Sequence, residues 1–114
     1  MTSSELRRLA GEKIAAAASL VADAALLRSQ AAELDGILDP LVPISQRVWV
    51  GPAAEDFESA VRAHGSVLRG EVLRLIDIAT DLERRAQIAR GEAAELRARA
   101  LATQLVADAG LGVV

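Results

Sequence analysis

Apolar residues recur every seven positions along most of this chain. Leu20, Leu27, Leu34 and Leu41 form one row, and Ala17, Ala24, Ala31 and Leu38 form the row beside it. Two adjacent rows at this spacing make a seam of the kind that joins antiparallel helices in bundles. The alanine row allows two backbones to come close. A second pair of rows follows the middle of the chain. Val61, Leu68, Leu75, Leu82, Ala89 and Leu96 repeat at seven, and Gly65, Val72, Ala79, Ala86, Ala93 and Ala100 run four residues behind them. The pattern predicts two long helices separated by one interruption.

The ends of these helices carry recognisable signals. Thr2 and Glu5 stand in capping-box spacing, which places the start of the first helix at about residue 3. Pro40 and Pro43 oppose helix continuation, since each lacks a backbone N–H and disfavours the helical region for the residue before it. The first helix is therefore expected over about 3–38, with a turn over about 39–51 that holds a further short turn at 44–49. Gly51-Pro52 reads as a new start. Proline suits the first helical position, Gly51 can serve as the N-cap, and Glu55 and Asp56 fall where carboxylates interact favourably with the helix dipole. The second helix is expected over about 52–108. Glu58–Arg62, Asp81–Arg85 and Glu95–Arg99 are spaced to form ion pairs along its surface. Gly91 is the expected kink, and the segment 110–114 is expected to fray. Helices of about 36 and 55 residues span roughly 54 and 80 Å, so the C-terminal stretch from Glu83 on is expected to overhang the first helix.

Two antiparallel helices hide only one stripe each. Between Val67 and Ala79 the second helix carries more, because Val67, Leu68, Val72, Leu73, Leu75, Ile76, Ile78 and Ala79 cover well over half its circumference. Soluble monomers avoid exposing so large an apolar surface. The expected fold is accordingly all-α: an antiparallel hairpin of two long helices, one domain over 1–114, pairing with a second hairpin into a four-helix bundle dimer. Leu20, Leu27, Leu34, Val61, Leu68, Val72, Leu75, Ile76 and Leu82 are the candidate hairpin and dimer seam. The alternative is a three-helix monomer folded back at Gly91.

Composition agrees with helices and narrows the chemistry. Of the 114 residues 52% are hydrophobic and only 2% aromatic, with Trp49 and Phe57 the two aromatic residues. Alanine, leucine, arginine and glutamate dominate, and these are strong helix formers. The net charge of −3 and the scarcity of aromatic residues give no support to nucleic-acid binding. No cysteine is present, so disulfides and thiolate metal sites are excluded. His64 is the single histidine and lacks an orienting partner in any catalytic motif. Glu33, Asp35 and Asp39 lack calcium-loop spacing. The arginines from Arg84 to Arg99 are interleaved with Glu83, Glu92 and Glu95, which reads as an exposed face. The expectation is a protein that binds rather than catalyses, with no cofactor and no metal. No stretch is long and apolar enough to span a bilayer. The acids at Glu5, Glu12 and Asp23 argue against a cleavable signal peptide.

Trp49-Val50-Gly51 falls at the predicted connection, with Phe57 eight residues after the tryptophan. Trp49 can plug the space between helix ends, Gly51 can turn the backbone, and Phe57 can close over the same region. Here the chain resembles the WXG family, the small ESAT-like proteins of type VII secretion, which are helical hairpins with a Trp-x-Gly turn. The resemblance implies a protein that is cytoplasmic before export, acting as a secreted dimer or as the partner of a secreted effector. It implies contact with a second copy or a second WXG-like chain, and with a secretion ATPase or larger effector. The family's C-terminal tyrosine signal has no counterpart, because the chain contains no tyrosine. Its dimer partner then supplies the signal, or the chain is not itself an export substrate. Two other readings stand beside this one: a cytoplasmic helical adaptor or chaperone for a toxin, and an amphipathic helix protein of the membrane surface.

Overall fold

The computed structural model describes the backbone of residues 1–45 and 51–112, and the side chains of these except at 38–45, 54 and 111–112. Two helices make up the described residues: α1 (Ser3–Ser45, 43 residues) and α2 (Pro52–Gly112, 61 residues). No strand occurs among the described residues. The architecture is all-helical and consistent with a hairpin.

Helix α1 begins as the sequence indicates. The Glu5 N–H donates to the Thr2 hydroxyl oxygen at 3.1 Å, and the Thr2 N–H donates back to the Glu5 carboxylate at 3.3 Å. This reciprocal pair satisfies two donors that the first turn would otherwise leave without partners. The end of α1 differs from expectation. The helix runs to Ser45, seven residues past Leu38, and carries Pro40 and Pro43 within it. Each proline removes a single N–H, the one that would bond the carbonyl of Gly36 or of Asp39. The seven-residue apolar spacing meanwhile continues through Leu38 and Leu41. Two missing bonds weaken the last turns without ending them.

Helix α2 is continuous through Gly91 and on to Gly112. The chain therefore does not fold back at Gly91 as the three-helix alternative requires. Of the segment expected to fray, 110–112 is helical and 113–114 lies outside the described residues.

The contacts divide the chain into two units, each built from both helices. One comprises Met1–Asp23 with Asp81–Val114, and the other Ala24–Thr80. In the first unit the buried residues are Leu6, Ala10, Ala17, Ala86, Ala93 and Ala100. The helix segments run antiparallel there, since Arg7 meets Gln104 while Lys13 pairs with Glu92 at 2.6 Å. The expected overhang from Glu83 is thus corrected. That segment packs on the start of α1, with Ala86, Ala93 and Ala100 buried. In the second unit the buried residues are Ala24, Ala31 and Ala79. Antiparallel packing holds there too: Arg28 donates to the Thr80 hydroxyl at 3.2 Å, while Ala31, Ala32 and Asp35, further along α1, share a groove with Val72 and Ile76, earlier on α2.

Apart from Leu6, the buried residues are all alanine. Small side chains at every seventh position let helix backbones approach at the short end of the usual 8–10 Å range. The buried set contains no polar residue among the described residues. Enlarging a seam residue should push the helices apart. Ala86→Leu is expected to destabilise the fold by about 1–3 kcal/mol, whereas Ala94→Leu, at an exposed position of the same helix, should change stability by less than about 0.5 kcal/mol. Urea unfolding followed by circular dichroism distinguishes the two; equal effects would contradict an alanine-filled seam.

Candidate interaction surface

The alanine rows divide each helix into two flanks. On α1, the residues three positions after the seam alanines are Leu20, Leu27 and Leu34, and those four positions after are Val21, Arg28 and Asp35. On α2, Val61, Leu68, Leu75 and Leu82 stand three positions after the seam row, while Arg62, Arg69, Ile76 and Glu83 stand four after. One flank is leucine-rich and the other is mostly charged.

The second unit shows what becomes of each flank. Leu27, Leu34, Val61, Leu68 and Leu75 are all half-buried, and so are Val72 and Ile76. Ala24, Ala31 and Ala79 are buried between the helix segments, Gly65 and Val72 complete the α2 row half-buried, and the leucines lie beside these rows partly exposed. Ile37, Phe57 and Ile78 are 54%, 41% and 43% exposed. Val67 and Leu73 are more exposed still. The opposite flank forms a groove floored by Ala31 and Ala32, walled by Val72 and Ile76, with Arg28 and Asp35 at its edges.

In the first unit the leucine-rich flank is broken by charge. Lys13 stands where α1 would continue its leucine row, and its ion pair with Glu92 lies in a groove lined also by Leu9, Glu95, Leu96 and Arg99. Both partners are nearly half-exposed, so the pair contributes no more than about 1 kcal/mol. Its geometric effect is to fix which turns of the two helices face each other. Of the spaced pairs anticipated on α2, Glu58–Arg62 closes at 2.7 Å and Asp81–Arg85 at 2.9 Å, with Arg84 also bonded to Asp81.

The nine residues expected at the hairpin and dimer seam stand beside the buried alanines or in their row. Leu20, Leu27, Leu34, Val61, Leu68, Val72, Leu75, Ile76 and Leu82 are all half-buried, and none is in the buried set. Leu6 and Ala10, which the sequence reading passed over, are in it. Ala10 extends the alanine row by one repeat toward the N-terminus, and Leu6 stands one repeat before Lys13 in the leucine row. The signal was available in that spacing but is obscured by Lys13.

Of the turn motif, Trp49 lies outside the described residues. Gly51 adopts φ 122°, and its carbonyl accepts from the Glu55 N–H at 3.1 Å. It is thus the N-cap of α2, in a conformation that side-chain-bearing residues rarely adopt. Phe57 is partly exposed in the second turn of α2, and His64 is exposed. No helix among the described residues is long and apolar enough to cross a membrane.

No family model matches this chain, and no curated protein or solved structure matches it.

Glycine substitutions separate conformation from space, because an added Cβ meets nothing within 4 Å at either Gly51 or Gly70. Gly51→Ala should cost about 1–3 kcal/mol from backbone strain alone. Gly70→Ala, inside α2, should stabilise by about 0.5–1 kcal/mol. Thermal unfolding of both variants reads the signs, and a stabilising Gly51→Ala would contradict the cap.

Proposed function

We propose that this protein works by binding, as one hairpin of a four-helix assembly of the WXG type, in a type VII secretion system. It acts there as an exported dimer or as the companion of a secreted effector, and performs no catalysis. One observation carries the reading: the leucine-rich flank of residues 24–80 stays half-covered because alanine occupies the seam. Completing the burial of a half-covered leucine or valine contributes about 1 kcal/mol, so covering Leu27, Leu34, Val61, Leu68 and Leu75 offsets part of the cost of association. The Trp49-Val50-Gly51 sequence between the helices, with Phe57 following, supports the WXG form of that assembly.

The surface also favours this reading over an amphipathic membrane helix. A membrane-surface helix sets one broad apolar face against a strongly basic one. Here Arg62, Arg74, Arg84 and Arg85 of α2 are tied to acids on the same helix.

Export tests the proposal. In host cells lacking the type VII secretion ATPase, the chain or the effector it accompanies should accumulate inside, while the parent strain releases it. Equal release from both strains would contradict the secretion reading. Binding to anionic vesicles that persists in high salt would favour the membrane alternative instead.

A further inference from the structure

We infer that Lys13 sets the alignment of α1 on α2 in the first unit by what it repels as well as by what it attracts, because the positions one repeat to either side of its partner Glu92 are both arginine. The inference goes beyond the binding reading and does not depend on what the hairpin binds.

The seam itself leaves the alignment open. In the first unit α1 buries Ala10 and Ala17, and α2 buries Ala86, Ala93 and Ala100. Ala107 stands one repeat further along α2. Sliding one helix past the other by a repeat, about 10 Å along the axis, sets alanine against alanine again. Polar residues placed among the apolar rows are what single out one alignment in such a seam.

Charge removes the ambiguity. Lys13 stands between Leu6 and Leu20 in the leucine row of α1, and its ammonium nitrogen lies 2.6 Å from a carboxylate oxygen of Glu92. The residues one repeat before and one repeat after Glu92 are Arg85 and Arg99. A slide in either direction therefore exchanges an attraction for a repulsion. Arg84 and Arg85 share the single carboxylate of Asp81, so the place that one slide brings to Lys13 stays positive. The same slide brings Arg97 to Arg7 in place of Gln104, its present partner. Both members of the Lys13–Glu92 pair are nearly half-exposed, so their attraction alone discriminates modestly. Arginines on either side penalise the wrong alignments without having to strengthen the right one.

Distances between two spin labels test this on the full chain. The chain has no cysteine, so Ser4→Cys and Ala94→Cys, both at exposed positions, place nitroxides on α1 and α2 only where intended. Double electron–electron resonance on labelled chain diluted with unlabelled chain should give a single distance in the otherwise unaltered protein. Lys13→Glu should add a second distance, displaced by about 10 Å, with the population of slid chains rising about tenfold or more. Lys13→Glu combined with Glu92→Lys keeps an ion pair in the native alignment and should still show the second distance, because both arginines now attract the acid. Adding Arg85→Gln and Arg99→Gln to that exchanged chain should restore the single distance. If Lys13→Glu alone lowers helical content, the exchanged chain carries the test. Two distances in the unaltered protein would overturn the inference. So would an exchanged chain that keeps the native distance alone, or a second distance that survives loss of both arginines.

Discussion

The size of the alanine side chain governs this structure. Helices that meet through alanine at most seventh positions leave little room between them for larger side chains. From Leu20 to Leu34 the leucines of the neighbouring row lie on the flank, half-covered by their own chain, while Leu6 at the start of that row is buried. A hairpin with leucine in the seam would have wider-spaced helices and fewer apolar groups left outside. The same substitution of small for large that tightens the pairing within the chain thus creates the surface by which the chain is proposed to bind. A seam that contributes little burial per residue also makes covering the flanks energetically important, since methyl-sized side chains remove little area from water.

Other features locate this seam rather than strengthen it. An alanine row is nearly the same after a shift of one repeat, so it fixes the register of two helices poorly. Register is held instead by individual polar contacts: Lys13 with Glu92 and Arg7 with Gln104 in one unit, and Arg28 with Thr80 in the other. At the helix starts, the Thr2–Glu5 box and the Gly51 cap define where α1 and α2 begin. Exposed ion pairs of this kind contribute modestly to stability, but each is compatible with one alignment only.

Much of the helical content was legible in the sequence because heptad spacing and capping residues are local signals. Thr2, Glu5, Gly51 and Pro52 marked both starts correctly. The end of α1 was misplaced because proline was weighed as a stop. Within a long helix its cost is one lost hydrogen bond and local strain. The continuation past Gly91 was open for a related reason: an isolated glycine lowers helix propensity by about 1 kcal/mol, while Ala93 and Ala100 beyond it are buried. Which of two adjacent rows occupies the seam was harder to read. Leucine is the more apolar residue and alanine the better fit to a narrow gap, and spacing alone does not rank them. Leu6 was missed because Lys13 interrupts its own row, and Ala10 because it lies beside that interruption.

The most direct test of the account follows the methyl groups themselves. Nuclear magnetic resonance with a soluble paramagnetic probe, across a series of protein concentrations, reports the solvent access of alanine and leucine methyls separately. The account predicts that the methyls of Ala24, Ala31 and Ala79 are shielded at every concentration. Those of Leu27, Leu34, Leu68 and Leu75 should start partly accessible and become shielded as the chains associate. Leucine methyls that stay equally accessible as association proceeds, or alanine methyls open to the probe from the start, would contradict it.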